Sequence, residues 1–225
     1  MSKVKELVLI GDDCEIFTGD LVETELVGDS TSTVLDLGGT KGMYVVNAIA
    51  ATDTFFPAGL AIGELCPIQG TEVLASGDKI QQLDLTTVAD ATGWSLPITR
   101  SEIETTLLKH SFKKYRFGKK DAQGTINSMF TQGVTDTEKG LVGKTMKLVS
   151  QRGGTFEVSI PEDKSMYFLG YIRKSSVAGE IEDFIFAEIN MSNVTLGGTT
   201  GNAQSYDSSF RLTGNDPVFY SLEVL

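Results

Sequence analysis

Apolar and polar side chains alternate with a period of two, or gather into short β-branched and aromatic runs, at 6–10, 43–50, 80–88, 103–108, 155–160, 167–172, 181–190 and 218–224. A period of two sends successive side chains to opposite faces, the pattern of a half-buried strand. The clearest case is Ile181-Glu182-Asp183-Phe184-Ile185-Phe186-Ala187-Glu188-Ile189, where partial alternation surrounds a fully apolar centre. Phe219-Tyr220-Ser221-Leu222-Glu223-Val224 repeats the style after Gly214-Asn215-Asp216-Pro217, a combination that favours a turn. The pattern predicts a mainly β chain.

One stretch has a helical period instead. Thr135-Asp136-Thr137-Glu138 has the form of a capping box, with Thr135 as N-cap. Leu141, Thr145, Leu148 and Val149 then fall on one helical face, and Gly153-Gly154 supplies a stop. The spacing predicts a helix over about 136–151. Gly140 and Gly143 weaken it by about 1 kcal/mol each relative to Ala, so it needs a sheet to pack against. The small, polar stretch 197–209 reads as a long surface loop. Without repeats or a low-complexity linker, the 225 residues read as one domain, in which 1–40 can form an arm with partial packing.

Composition refines this picture. Hydrophobic residues make up 40%, a globular level, and 24 Gly against 5 Pro suit strands joined by turns. The 30 acidic and 19 basic side chains leave a net charge of −11, which disfavours wrapping DNA or an anionic membrane but suits a wall past which DNA slides. Residues 1–6 open without a signal-peptide core, since the apolar run 7–10 stops at Gly11-Asp12-Asp13. No apolar run approaches the roughly 20 residues of a membrane-spanning helix. The expectation is a protein made in a reducing cytosol, with Cys14 and Cys66 as free thiols and no membrane partner.

Candidate chemistry is sparse. The single His110 sits among Lys109, Ser111 and Lys113, so any Ser-His-Asp or Cys-His arrangement would have to use it. One His with two distant Cys does not make a zinc site. Gly143-Lys144-Thr145 resembles the end of a phosphate-binding loop, but the earlier glycine is replaced by Glu138, and Leu37-Gly38-Gly39-Thr40-Lys41-Gly42 lacks the strand–loop–helix setting. Asp12/Asp13, Glu102/Glu104 and Glu182/Asp183 are carboxylate pairs that an acidic chain contains by composition, and no window has the form of a calcium loop. The expectation is no enzyme, no cofactor and no metal.

One local constellation stands apart. Lys109, Lys113, Lys114, Arg116, Lys119 and Lys120 place six of the 19 basic residues in twelve positions, interleaved with Phe112, Tyr115 and Phe117; without those six the chain carries −17. Cations with interleaved aromatics can hold single-stranded nucleic acid by stacking and phosphate contact. Equally, such a segment can dock on the acidic surface of another copy of the chain, or stand as a solvated loop.

The same region carries a family resemblance. Arg100-Ser101-Glu102-Ile103-Glu104-Thr105-Thr106 followed by Phe112-Lys113-Lys114-Tyr115-Arg116-Phe117-Gly118-Lys119-Lys120-Asp121-Ala122-Gln123-Gly124 resembles the major tail tube proteins of phages with long non-contractile tails. Phe168-Leu169-Gly170-Tyr171-Ile172 and Arg211-Leu212-Thr213-Gly214-Asn215-Asp216-Pro217 follow in the order expected of that family, so the resemblance spans about 68–225. It implies a β-sandwich or half-barrel flanked by one helix. It also implies hexameric rings that stack into a tube through which genomic DNA passes without specific binding. Residues 109–124 would be the projecting loop that packs on the next ring, with Lys109, Phe112, Lys113, Lys114, Tyr115, Arg116, Phe117, Lys119 and Lys120 as the inter-ring contact. Further implied partners are the tape measure, terminator and tail tip proteins, and the implied location is the virion tail, after assembly in the host cytoplasm. Other readings are a tail terminator, a capsid decoration protein, a secretion-system tube subunit, or a monomeric carbohydrate-binding module, the last weakened by the single Trp94.

Overall fold

The computed structural model of the chain describes residues 15–51, 55–88, 91–105, 112–129, 148–152, 155–159, 165–198 and 205–224. Among these the chain is mainly β, as its alternation predicts, and no described residue is helical. Two compact units form, one from Met1–Thr87, Met166–Glu188 and Gly214–Leu225, the other from Val88–Ser165 and Ile189–Thr213.

The first unit is a sheet with strand order β3 (Leu65–Ile68), β2 (Gly42–Ala48), β4 (Lys79–Thr87), β1 (Ile16–Val27), β10 (Met166–Arg173) and β11 (Ile181–Gly197, of which 181–188 belong here), with β13 (Val218–Glu223) on β11. Laid flat, seven strands would hold their outer members roughly 29 Å apart, at about 4.8 Å per step. Here the Leu65 amide of β3 donates to the Tyr220 hydroxyl of β13 at 2.8 Å, and the Asn215 amide before β13 donates to the Ile62 carbonyl at 2.9 Å. The sheet is therefore curled until its first and last strands meet, a half-barrel.

Alternation along the strands builds two cores on its two faces. The concave face gathers Val45, Leu65, Leu83, Leu169, Tyr171, Phe184 and Phe186, with Phe17, Tyr167 and Tyr220 packed against them. Phe184 stacks on Tyr220 at 5.3 Å, and Tyr167 stacks on Phe186 at 5.4 Å. The opposite face, formed by Leu26, Tyr44, Val46, Cys66, Ile68 and Ile80, is covered from the connecting segments by Val34, Phe56 and Leu74. Fully buried Asp78 ties this cover down, because its carboxylate accepts the Ala50 and Ala75 amides at 2.7 and 2.9 Å.

Three expectations for this unit and its neighbour change. Residues 1–14 lie outside the described residues, but 16–40 are not an arm: β1 lies between β4 and β10, and Ile16 and Val34 are buried. The strand was hidden in the sequence because its register shifts between Leu21 and Glu25, which interrupts the alternation. The helix expected over 136–151 lies outside the described residues up to 147, and its last part is strand β8 (Leu148–Arg152), paired with β9 (Thr155–Ser159). Of the loop expected over 197–209, Gly197 ends β11 and 205–209 belong to β12 (Ser205–Leu212), while 199–204 lie outside the described residues. Tyr206-Asp207-Ser208-Ser209 has weak strand propensity and is held by ladders on both sides.

In the second unit β12 pairs with residues 189–197 of β11 on one side and with β7 (Tyr115–Met129) on the other, and β7 also carries β5 (Ala91–Ser95). Ile126, Ile189 and Phe210 are buried there. Phe210 lies directly across from Gly124, and its ring fills the space that a Cβ on Gly124 would need.

Candidate functional site

The basic and aromatic constellation forms one arm of an antiparallel hairpin. Strand β6 (Ile98–Glu104) pairs with the first half of β7, in the register Glu104–Tyr115, Ile103–Arg116, Glu102–Phe117, Arg100–Lys120, Thr99–Asp121 and Ile98–Ala122. Beyond β6 the Thr105 amide donates to the Lys114 carbonyl at 2.7 Å. Residues 115–124, expected in a projecting loop, are thus strand; 109–111, with Lys109 and His110, lie outside the described residues. Period-two alternation in Tyr-Arg-Phe was present in the sequence but was masked by the charge density of the segment.

The register carries a bulge, with Gly118 and Lys119 set against Ser101. A Cβ at 118 would meet the Ser101 hydroxyl, which must turn aside, and would lie close to the Ser101 carbonyl, so the two strands approach tightly at this point. Every β6 residue is exposed, as are Phe112, Lys113, Lys114, Tyr115, Arg116, Phe117, Lys119 and Lys120. Phe112 is 84% exposed, Phe117 67% and Tyr115 51%. Ile98 and Ile103 on β6 add to this apolar surface.

Pairing sorts the constellation onto two faces. Tyr115 and Phe117 share a face with Glu104 and Glu102, and further along that face come the Arg100–Lys120 and Ile98–Ala122 pairs. Arg116 shares the other face with Ile103, and Thr99 with Asp121 lies there too. The aromatics and Arg116, interleaved in sequence, therefore point to opposite sides. The cationic strand is also partly balanced by its neighbour: Lys113 makes an exposed ion pair with Glu104 at 3.5 Å, a contact of about 0–1 kcal/mol. Glu102, Glu104, Arg100 and the two isoleucines are the members of the site that counting basic residues missed. Charged residues at alternate positions, Arg100, Glu102 and Glu104, were the signal that could have found this strand, with Ile98 and Ile103, five apart, on opposite faces.

Elsewhere the geometry offers little chemistry. A cleft lined by Gly63, Glu64, Glu188, Asn215 and Asp216 has a volume of about 10 Å³, enough for one water and far below a small-molecule site. Among the described residues no group of three or more His, Cys, Asp or Glu is placed to hold a metal ion. Cys66 is a buried free thiol, whereas Cys14 lies outside the described residues. The perturbed ionisations belong to the core and to turns. Burial pushes the Tyr171 and Tyr167 hydroxyls up, and pushes Tyr220 up to about 12. Asp29 is held well below the usual carboxylate range by the hydroxyl and amide of Ser32 and the amide of Thr31, within one turn.

No protein-family model matches the chain, and no curated protein matches it. Solved structures similar to it include two from gene transfer agent particles. One is the virion of a native gene transfer agent particle, at a TM-score of 0.38 and 13% identity, over 60% of this chain and 88% of that chain. The other is the tail of an empty gene transfer agent particle with C6 symmetry, at a TM-score of 0.37 and 12% identity, over 60% of this chain and 86% of that chain.

Proposed function

We propose that this chain is a structural subunit that self-associates into stacked hexameric rings, forming a phage-type tail tube through which genomic DNA passes, and that the β6–β7 hairpin is its stacking element. The observation that carries the reading is a hairpin whose β6 strand is exposed along its whole length, presenting Ile98, Ile103, Tyr115 and Phe117, with exposed Phe112 just before β7. An isolated ribbon is at best marginally stable in water, and aromatic side chains so exposed are characteristic anchors of a protein interface. The sequence resemblance across Arg100–Thr106 and Phe112–Gly124 assigns the same segment to ring stacking. The role is structural and not catalytic, and the location is the virion tail. Tape measure, terminator and tail tip proteins are the further partners that this assembly implies.

The test is negative-stain electron microscopy and light-scattering mass of the purified full chain across a range of concentrations. Hollow rings or tubes are expected. Tyr115→Ala shortens tubes or lowers their yield more than Lys114→Ala does, because apolar area buried at a contact outweighs a screened surface charge. Equal tube length and yield for the two variants would refute the role given to the aromatic face. A strict monomer at every concentration, with saturable binding of a sugar or a single-stranded nucleic acid, would replace the reading with a binding module.

A further inference from the structure

Four strands of the larger sheet have, among the described residues, a ladder on one side only: β3 and β13 in the first unit, β5 and β6 in the second. Such an edge presents unpaired amides and carbonyls that a further strand can use. Two of the four are closed to one. On β3 the Glu64 carbonyl accepts the Val46 amide of β2, so alternation turns Leu65 and Pro67 outward. The Leu65 amide is taken by the Tyr220 hydroxyl, and Pro67 has no amide to give. Strand β5 is short, and its register shifts between Ala91 and Gly93.

The other two edges are regular. The Val224 amide donates to the Glu180 carbonyl at 2.8 Å, just beyond the β11–β13 ladder. Alternation then turns the amides and carbonyls of Phe219, Ser221 and Glu223 away from β11, and all three side chains are exposed. In the hairpin, the bond from Thr105 to Lys114 turns those of Glu104, Glu102 and Arg100 away from β7. The bulge lies on β7 and breaks the outer edge of that strand, while β6 is uninterrupted.

Charge and shape select one register between these edges. Antiparallel pairing with Phe219 opposite Glu104 and Ser221 opposite Glu102 sets Glu223 opposite Arg100, an attractive pair. It also brings exposed Ile103 beside Tyr220 and Leu222, prolonging the concave apolar face. A shift of two residues sets Glu223 against Glu102 in one direction, and in the other sets Pro217, without an amide, against Glu104. Parallel pairing would bring Glu223 to Glu104.

We propose that β6 of one copy adds as an antiparallel strand to β13 of a second copy of this chain, with Arg100 opposite Glu223. This rests on the self-association reading above and names the acceptor for the hairpin. The contact joins two different surfaces, so it repeats from copy to copy along a series. Backbone hydrogen bonds supply affinity, and the side chains fix register and direction.

The experiment measures the concentration for half-assembly of the full chain, by sedimentation and light scattering, with circular dichroism to verify folding. Ser221→Pro removes an amide that β11 does not use and raises that concentration about tenfold or more, and Glu102→Pro does the same; Ser221→Ala stays within about twofold of the parent. Glu223→Arg and Arg100→Glu each raise it about fivefold, and the two together restore it to within about threefold. A second measurement serves if a proline variant fails to fold. In a Cys14→Ser background, Ser221→Cys and Glu102→Cys chains are purified separately, mixed and oxidised. Hydrogen-bonded antiparallel neighbours hold their Cα atoms about 5.5 Å apart, within reach of a disulfide. A covalent dimer with one chain of each kind is expected on mixing, and none from either chain alone. Parent-like assembly of folded proline variants, no cross-link in a mixture that assembles, or a Ser221→Cys chain that links to itself overturns the contact and leaves self-association standing. Failure of the parent itself to assemble at any concentration overturns both.

Discussion

Replacing Tyr220 by Phe deletes one oxygen from the seam where the half-barrel closes, and its effect should change sign with pH. The hydroxyl accepts the Leu65 amide at 2.8 Å, and Leu65 is only 1% exposed, so the variant leaves a buried donor without its acceptor. That loss costs about 1–3 kcal/mol, with about 2 kcal/mol as the working value. The ring stack on Phe184 survives, because Phe retains the ring. At high pH a second effect opposes the first. Burial, with the Glu64 charge beside it, raises the Tyr220 hydroxyl from 10.0 to about 12, against the lowering effect of the Leu65 amide. A raised pKa in the folded state means the unfolded chain releases the proton first. The associated stability is complete below pH 10 and is lost as pH rises through the folded value. For this one group the loss amounts to about 1 kcal/mol at pH 11 and about 2 kcal/mol at pH 12. Phe cannot ionise, so the variant escapes this loss, while the contributions of Tyr167 and Tyr171 are common to both proteins and cancel. The parent is therefore expected to be the more stable by about 2 kcal/mol at neutral pH, with the two curves crossing between about pH 11 and 12. Urea unfolding followed by far-ultraviolet circular dichroism over that pH range measures both curves. A difference that stays constant with pH would refute the titration of Tyr220, and no difference at neutral pH would refute the closing hydrogen bond.

Other predictions address the remaining joints. Gly124→Ala should destabilise the second unit by about 1–3 kcal/mol, since its Cβ collides with the Phe210 ring; adding Phe210→Leu should recover part of that, and urea midpoints of the single and double variants check it. Asp78→Ala should cost about 3 kcal/mol, because two buried amides lose a charged acceptor, with Asp78→Asn costing less; thermal melts compare the two. Gly118→Ala should displace the Ser101 hydroxyl and crowd the bulge of the hairpin, reducing self-association more than it lowers the melting temperature of the body; light scattering beside calorimetry separates the two.

Three strands were legible from residue order alone. Lys79–Thr87, Met166–Arg173 and Val218–Glu223 lie within a residue or two of where alternation and short apolar runs placed them. Strand β13 alternates throughout, whereas β4 buries Ile80 and Leu83 on opposite faces and β10 buries Phe168 to Tyr171 in succession, so an apolar run marks them as well as period two does. The mainly β class and the presence of a basic, aromatic segment follow from sequence on the same grounds. Strands whose stability comes from their neighbours were not legible. The β1 strand contains Gly19, Asp20 and a register shift, yet it is held between two partners; Tyr206-Asp207-Ser208-Ser209 is a strand only because β7 and β11 flank it. Leu148 and Val149 satisfy a helical spacing and a strand equally well, since four or five residues cannot distinguish the two periods. At the candidate site the sequence identified the residue types and the tertiary structure decided their sides. Register alone sets Tyr115 and Phe117 beside Glu104 and Glu102, turns Arg116 away, and brings Arg100 opposite Lys120 across a hairpin. Those relations depend on which residues face each other across strands, a non-local pairing that no local spacing encodes.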